Sequence, residues 1–143
     1  MAGIDPKKEY DIDGVSMLPL LKGSTKEIHK SLFFEMGATR AVIKDGYKYL
    51  AFKAPASIKS KLEKNGKKAT HICDKPGGRG SESPALKFYA KNYFDEDQLY
   101  QLEKDPFEQS NLYLVESKKA KIKELKTELK KYLKIVPGTF PID

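Results

Sequence analysis

The dipeptide Asp45-Gly46 constrains the fold more than any other part of the sequence. It lies between two β-prone runs, Ala41-Val42-Ile43 and Tyr47-Lys48-Tyr49-Leu50. A two-residue type I′ turn needs positive φ at both central positions, and Asp followed by Gly is a favoured pair there. The sequence therefore predicts a β-hairpin from Arg40 to Phe52.

Two further strands and one long helix are predicted around this hairpin. The runs Leu32–Glu35 and Gln98–Leu102 are typical of short strands. Between Ser117 and Lys134 apolar residues recur at spacings of three and four, which predicts an amphipathic helix. Its apolar stripe comprises Ile122, Leu125, Leu129, Tyr132, Leu133 and Val136. Strands followed by a helix predict an α+β fold, in which a small antiparallel sheet of about four strands packs against the C-terminal helix.

The part of the chain between the hairpin and the last predicted strand is less regular. Residues 55–64 predict a short helix, residues 69–73 a strand and residues 86–94 an extended segment. Residues 74–84 are rich in Gly, Pro and Ser, which predicts a loop.

Length and composition narrow the class of protein. A chain of 143 residues suits one domain, and the single cysteine, Cys73, excludes an internal disulfide framework. No apolar run approaches the roughly 20 residues of a membrane span, so no membrane partner is expected. The N-terminus lacks the apolar core of a secretory signal.

The net charge of +7 comes mainly from the predicted helix. Residues 116–134 hold eight Lys and three Glu, which gives +5. Aromatic residues do not interleave with these lysines, and Arg occurs only at positions 40 and 79. Because nucleic-acid sites favour Arg forks and stacking aromatics, we interpret the charge as a solvated helix face and expect no nucleic-acid partner.

Three segments, in order along the chain, resemble the C-terminal subdomain of formylglycine-dependent sulfatases, which are arylsulfatase-like members of the alkaline phosphatase superfamily. The first segment runs from Asp13 to Gly23, and the third from Gln98 to Leu112. The second consists of Leu32–Glu35, Arg40–Val42 and Gly46–Tyr49. The resemblance implies that residues 1–143 form one such subdomain, with 1–30 leading in from a catalytic domain absent from this chain and 53–95 as a subfamily insertion.

The residues of these segments also have structural interpretations. Asp105-Pro106 predicts a turn in which the carboxylate bonds the following backbone. Asn111 is expected to cap or lead into the C-terminal helix. Lys44 and Lys48 are expected to project from the hairpin into solvent.

The resemblance implies a parent enzyme that hydrolyses sulfate esters with a formylglycine, formed within a Cys/Ser-x-Pro-x-Arg motif, and a calcium ion. Cys73 is followed by Pro at +3 and Arg at +6, so the motif is not present around it. Asp11 and Asp13 are distant in sequence from the acidic run 95–97, which is interpreted as a solvated turn. We therefore expect no catalytic residue, metal ligand or cofactor in this chain. Parent sulfatases are often periplasmic or secreted.

Substrate and partner contacts are expected at two places. His71, Lys75 and Arg79 accompany flexible glycines and are expected to contact an anionic sulfated substrate. The catalytic domain is the expected partner, and without it the exposed docking face would favour self-association. That face is assigned to Met17, Leu18, Leu20, Leu21 and Phe33.

Two other functions remain open from the sequence. One is a free-standing basic module that binds an anionic glycan or nucleic acid. The other is a small hydrolase that uses Cys73 or a serine, and it ranks last because no general base is placed near these residues.

Overall fold

The computed structural model describes residues 14–53 and 95–142, with Ala56 and Ser60 as isolated positions between them. Tertiary contacts divide the chain into two compact units, residues 1–30 and 31–143. Apart from the two isolated positions, the elements predicted for residues 55–94 lie outside the described residues. Within the described ranges, none of the helices is long and apolar enough to cross a lipid bilayer.

The first unit contains one short helix in its described part. Helix α1 spans Leu18–Leu21 and has a proline in its first turn, where a missing N–H costs no hydrogen bond. Gly23 then adopts φ +68°, and its N–H donates to the Leu20 carbonyl. This left-handed conformation, which glycine adopts without steric cost, ends the helix.

The second unit is a meander of four strands followed by a helix. Strands β1 (Leu32–Met36), β2 (Thr39–Lys44), β3 (Tyr47–Phe52) and β4 (Asp97–Gln101) lie in that order in one antiparallel sheet. A turn of 3-10 helix at Glu116–Lys118 leads into helix α2, Lys119–Leu133. The α+β fold, the hairpin, the strands predicted at 32–35 and 98–102 and the C-terminal helix are confirmed.

The tight turn between β2 and β3 forms at the predicted dipeptide. Asp45 has φ +50° and Gly46 has φ +71°, so both central positions have positive φ, as a type I′ turn requires. Lys44 is paired with Tyr47 directly across the hairpin. The Gly46 carbonyl also accepts a hydrogen bond from the Leu102 N–H at 2.9 Å, which links the turn to the end of β4.

The core lies between α2 and one face of the sheet. A row of directly paired residues crosses all four strands on that face: Phe33, Val42, Tyr49 and Leu99. Ile122, Leu125 and Leu129 of α2 are buried in the same cluster. The predicted apolar stripe is confirmed for these residues, whereas Val136 lies beyond the end of the helix at Leu133.

Candidate functional site

The turn after β4 is held by the carboxylate of Asp105. Its Oδ1 accepts a hydrogen bond from the Gln109 N–H at 2.9 Å, and its Oδ2 accepts one from the Ser110 N–H at 2.8 Å. The predicted bonding of Asp105 to the following backbone is confirmed. Both carboxylate oxygens therefore have a structural role.

Asn111 joins the chain that leaves this turn to the edge of β4. Its Oδ1 accepts from the N–H groups of Leu99 and Tyr113, both at 3.0 Å. Its Nδ2 donates to the Asp97 carbonyl and to the Asp95 carboxylate, both at 3.1 Å. Of the two roles predicted for Asn111, the helix cap is wrong, because the helical turn begins only at Glu116 and the side chain instead accepts from the Leu99 N–H at the edge of β4.

The sequence predicted a solvated turn at residues 95–97, and this prediction is wrong for Asp97. Asp97 begins β4 and is largely buried. Its carboxylate accepts a hydrogen bond from the Tyr49 hydroxyl and lies 3.4 Å from Lys53 Nζ. Across residues 14–53 and 95–142, no group of three or more His, Cys, Asp and Glu is placed to hold a metal ion.

Lys44 and Lys48 form ion pairs instead of projecting freely into solvent. Lys44 Nζ lies 2.7 Å from Glu124 Oε1, and Lys48 Nζ lies 2.9 Å from both carboxylate oxygens of Glu108. These partners are 80 and 60 residues away in the sequence. The prediction was wrong because only the packed fold brings the carboxylates to the hairpin.

Electrostatic contacts on α2 shift the pKa of several groups. The Lys121 and Lys44 ammonium groups donate to Glu124 and lower the pKa of its carboxyl from 4.5 to about 2. Hydrogen bonds from Lys131 and Ser31 lower the pKa of Glu128. The reciprocal contacts with Glu124 raise the pKa values of Lys44 and Lys121. These directions describe ionised pairs, and each of the four shifts moves the pKa of its group away from neutrality.

The Glu124 pairs predict an acid-dependent part of the unfolding free energy. A lowered pKa in the folded state gives stability above pH 4.5 that is lost as pH falls toward 2. We expect Glu124→Gln to lower the urea midpoint at neutral pH. As the pH falls from 4.5 toward 2, the midpoints of the variant and of the unsubstituted protein should converge. Urea titrations across that range measure the difference.

The control for this prediction is Glu116→Gln. Glu116 also pairs with a lysine three residues later on the helix, but both side chains are exposed. Exposed pairs contribute little, so its midpoint should follow the unsubstituted protein at every pH. A gap for Glu124→Gln that stays constant down to pH 2 would contradict the assignment of the acid-dependent stability to this carboxylate.

The outer face, defined as the face of the sheet opposite α2, carries an apolar groove of about 320 Å³. Phe34 and Met36 of the edge strand β1 are 49% and 50% exposed there. The other described residues that line it are Glu35, Thr39, Ala41, Ile43, Lys48 and Leu50. A sheet packed on both faces shows this apolar character on both sides of its strands.

The chemistry of the outer face suits binding of apolar surface. The Lys48 ammonium at this groove is already paired with Glu108. The groove therefore offers shape and apolar contact to a partner.

The residues predicted to bind substrate, His71, Lys75 and Arg79, lie outside the described residues, as does Cys73. The assigned docking residues are in two places. Met17 and Leu21 are exposed in the first unit, whereas Phe33 stacks on Tyr132 of α2, with ring centroids 5.2 Å apart. The structure does not describe these residues as one surface.

Sequence reasoning missed the outer face. The signal was present, because the strand Leu32-Phe33-Phe34-Glu35-Met36 has large apolar residues at both alternating parities. Only one parity is needed to pack against α2. Leu32, Phe34 and Met36 belong to the other parity, and all three are exposed.

In comparisons with known proteins, no family model and no curated protein matches this chain.

Proposed function

We propose that the chain is the C-terminal subdomain of a formylglycine-dependent sulfatase. The observation that carries the proposal is the set of three sulfatase-like segments in the family's order, together with the work that the third segment does in the fold. Asp105 closes the turn, and Asn111 fastens the outgoing chain to β4. These roles of the third segment stabilise the fold, and the resemblance likewise implies that the segment belongs to the subdomain and not to the catalytic site.

The proposed role of this subdomain is structural support for a catalytic domain. We assign the outer face as the surface that contacts that domain. Phe34 and Met36 are exposed there, and the neighbouring Lys48 ammonium is already paired with Glu108. Burial of such side chains on docking would be favourable by about 25 cal/mol per Å² of apolar area. The parent enzyme would hydrolyse sulfate esters, and this chain alone would be inactive.

Two observations test the proposal directly. The DNA upstream of the Met1 codon should encode, in frame, a Cys/Ser-x-Pro-x-Arg motif within a catalytic domain. The purified chain should not turn over p-nitrophenyl sulfate, whereas the full-length protein should. Turnover by the purified chain, or an upstream region without the motif in frame, would overturn the proposal.

A variant of the full-length protein tests the interface. Phe34→Glu places a charge on the outer face and should lower both sulfatase activity and the temperature of inactivation. Phe107→Glu is the matched control, because Phe107 is 79% exposed in the turn after β4 and does not line the groove. Equal effects of the two substitutions would contradict docking through the outer face.

A further inference from the structure

The charges of α2 are segregated onto two flanks of the helix. On one flank, Glu124 and Glu128 are paired with Lys44, Lys121 and Lys131 at 2.6 to 2.7 Å. The other flank, here called the lysine flank, carries Lys119, Lys123, Lys126 and Lys130. Both carboxylates of α2 lie away from the lysine flank, where they are paired with other lysines. They therefore do not neutralise the lysine flank.

The four lysines of the lysine flank form a straight row. Their spacing of i, i+4, i+7 and i+11 places them within about 60° around the axis and spreads them over ~16 Å of helix. Within the described ranges, Lys123, Lys126 and Lys130 have no ion-pair partner, and Lys119 pairs only with exposed Glu116. Neighbouring like charges at three- and four-residue spacing destabilise a helix, and among the described residues only Glu116, at one end of the row, offsets them.

The lysine flank borders an open groove of about 510 Å³. The other described residues that line it are Tyr113, Leu114, Ile122 and Thr127. The Tyr113 ring stacks on buried Tyr49 with centroids 6.3 Å apart, and Lys126 Nζ lies 5.5 Å from the Tyr113 centroid. Leu114 is 92% exposed beside this ring. The groove therefore combines a row of ammonium groups with a partly apolar floor.

We propose that this groove binds a linear sulfated polysaccharide. A row of cations along a groove fits a polymer that carries acidic groups at intervals, and the C–H faces of sugar rings can pack on Tyr113 and Leu114. Lysine supplies compact point charges that attract sulfate groups without the fixed geometry of a guanidinium fork. Arg40, the arginine within residues 14–53 and 95–142, does not line the groove.

Other polyanions fit the groove less well. A single-stranded nucleic acid is usually held by several aromatic side chains on which successive bases stack, whereas the described lining of this groove has one aromatic ring, Tyr113. An acidic peptide would match the charge but offers no flat sugar-like face to the ring. The inference stands on the groove alone and does not require the sulfatase assignment.

The test measures binding of a size-fractionated heparin oligosaccharide to the full chain by isothermal titration calorimetry. Lys123→Gln/Lys130→Gln removes two cations for which the described residues provide no ion-pair partner, and it should weaken binding about tenfold. Lys104→Gln/Lys131→Gln removes the same net charge, and neither residue lines the groove. This control should bind within about twofold of the unsubstituted protein. Circular dichroism melts check that both variants fold.

Each outcome of this experiment is decisive. Three results together support the proposal. Affinity for heparin falls in Lys123→Gln/Lys130→Gln but not in the control, the desulfated oligosaccharide binds more weakly than heparin, and high salt weakens binding to every variant. Equal losses in the two variants would mean attraction to net charge alone and would overturn it. Tighter binding of single-stranded DNA or polyglutamate than of heparin, or no binding at low salt, would also overturn it.

Discussion

Replacing Leu125 with Ala should lower the free energy of unfolding by about 3 kcal/mol. Leu125 is fully buried at the centre of the cluster that joins α2 to the sheet. Truncation removes apolar contacts and leaves a cavity, because the sheet row Val42-Tyr49-Leu99 is fixed by backbone pairing and cannot collapse far toward the helix. Total stabilities of domains are only about 5–15 kcal/mol, so the loss is a large fraction.

Urea denaturation at neutral pH measures this effect. Lys130→Ala is the control on the same helix, because Lys130 is exposed and the substitution introduces the same residue. Its change should stay within about 0.5 kcal/mol. A Leu125→Ala variant that unfolds at the same urea concentration as this control would show that α2 does not hold the sheet.

Local signals in the sequence were sufficient for most of the elements within residues 14–53 and 95–142. The Asp45-Gly46 turn and the stripe of Ile122, Leu125 and Leu129 were predicted because each depends on neighbouring residues only. A two-residue turn has few accessible conformations, and an apolar stripe must face a core. Strands joined by such turns pair as antiparallel neighbours, which gave the fold class.

The side-chain partners could not be predicted from the sequence. Lys44 meets Glu124 because α2 crosses β2, and no local pattern specifies where a helix crosses a sheet. Local reasoning about Asn111 identified a residue that satisfies backbone N–H groups. It assigned the wrong groups, because the Leu99 N–H at the edge of β4 becomes available only after the sheet has formed.

The lysine flank can be predicted from the sequence more fully than the outer face. The row Lys119, Lys123, Lys126 and Lys130 can be placed on one helix flank by spacing alone. Its significance depends on the fold, because the structure directs Glu124 and Glu128 toward the opposite flank and leaves Tyr113 beside the lysines. The outer face required the register of β1, which assigns Phe34 and Met36 to the side away from α2.

Asn111→Ala is the substitution outside the core with the largest expected effect. It removes four hydrogen bonds at once and leaves the N–H of fully buried Leu99 without its acceptor. A buried donor left unsatisfied costs about 1–3 kcal/mol, and the Tyr113 N–H loses the same acceptor. We expect a loss of about 3 kcal/mol in the free energy of unfolding.

Two further variants separate the hydrogen bonds of Asn111 from general disturbance of the turn. Ser110→Ala changes the adjacent exposed residue and should alter stability by less than about 0.5 kcal/mol, because the Ser110 backbone bond to Asp105 remains. Asn111→Asp retains the acceptor for Leu99 but places a carboxylate against Asp95, so its loss should be substantial while the Leu99 amide stays protected from hydrogen exchange. In Asn111→Ala the Leu99 amide should exchange its hydrogen faster than in the unsubstituted protein, because the edge of β4 opens more often. If the Ala variant matched Ser110→Ala in both stability and exchange, Asn111 would have no role in fastening the chain to β4.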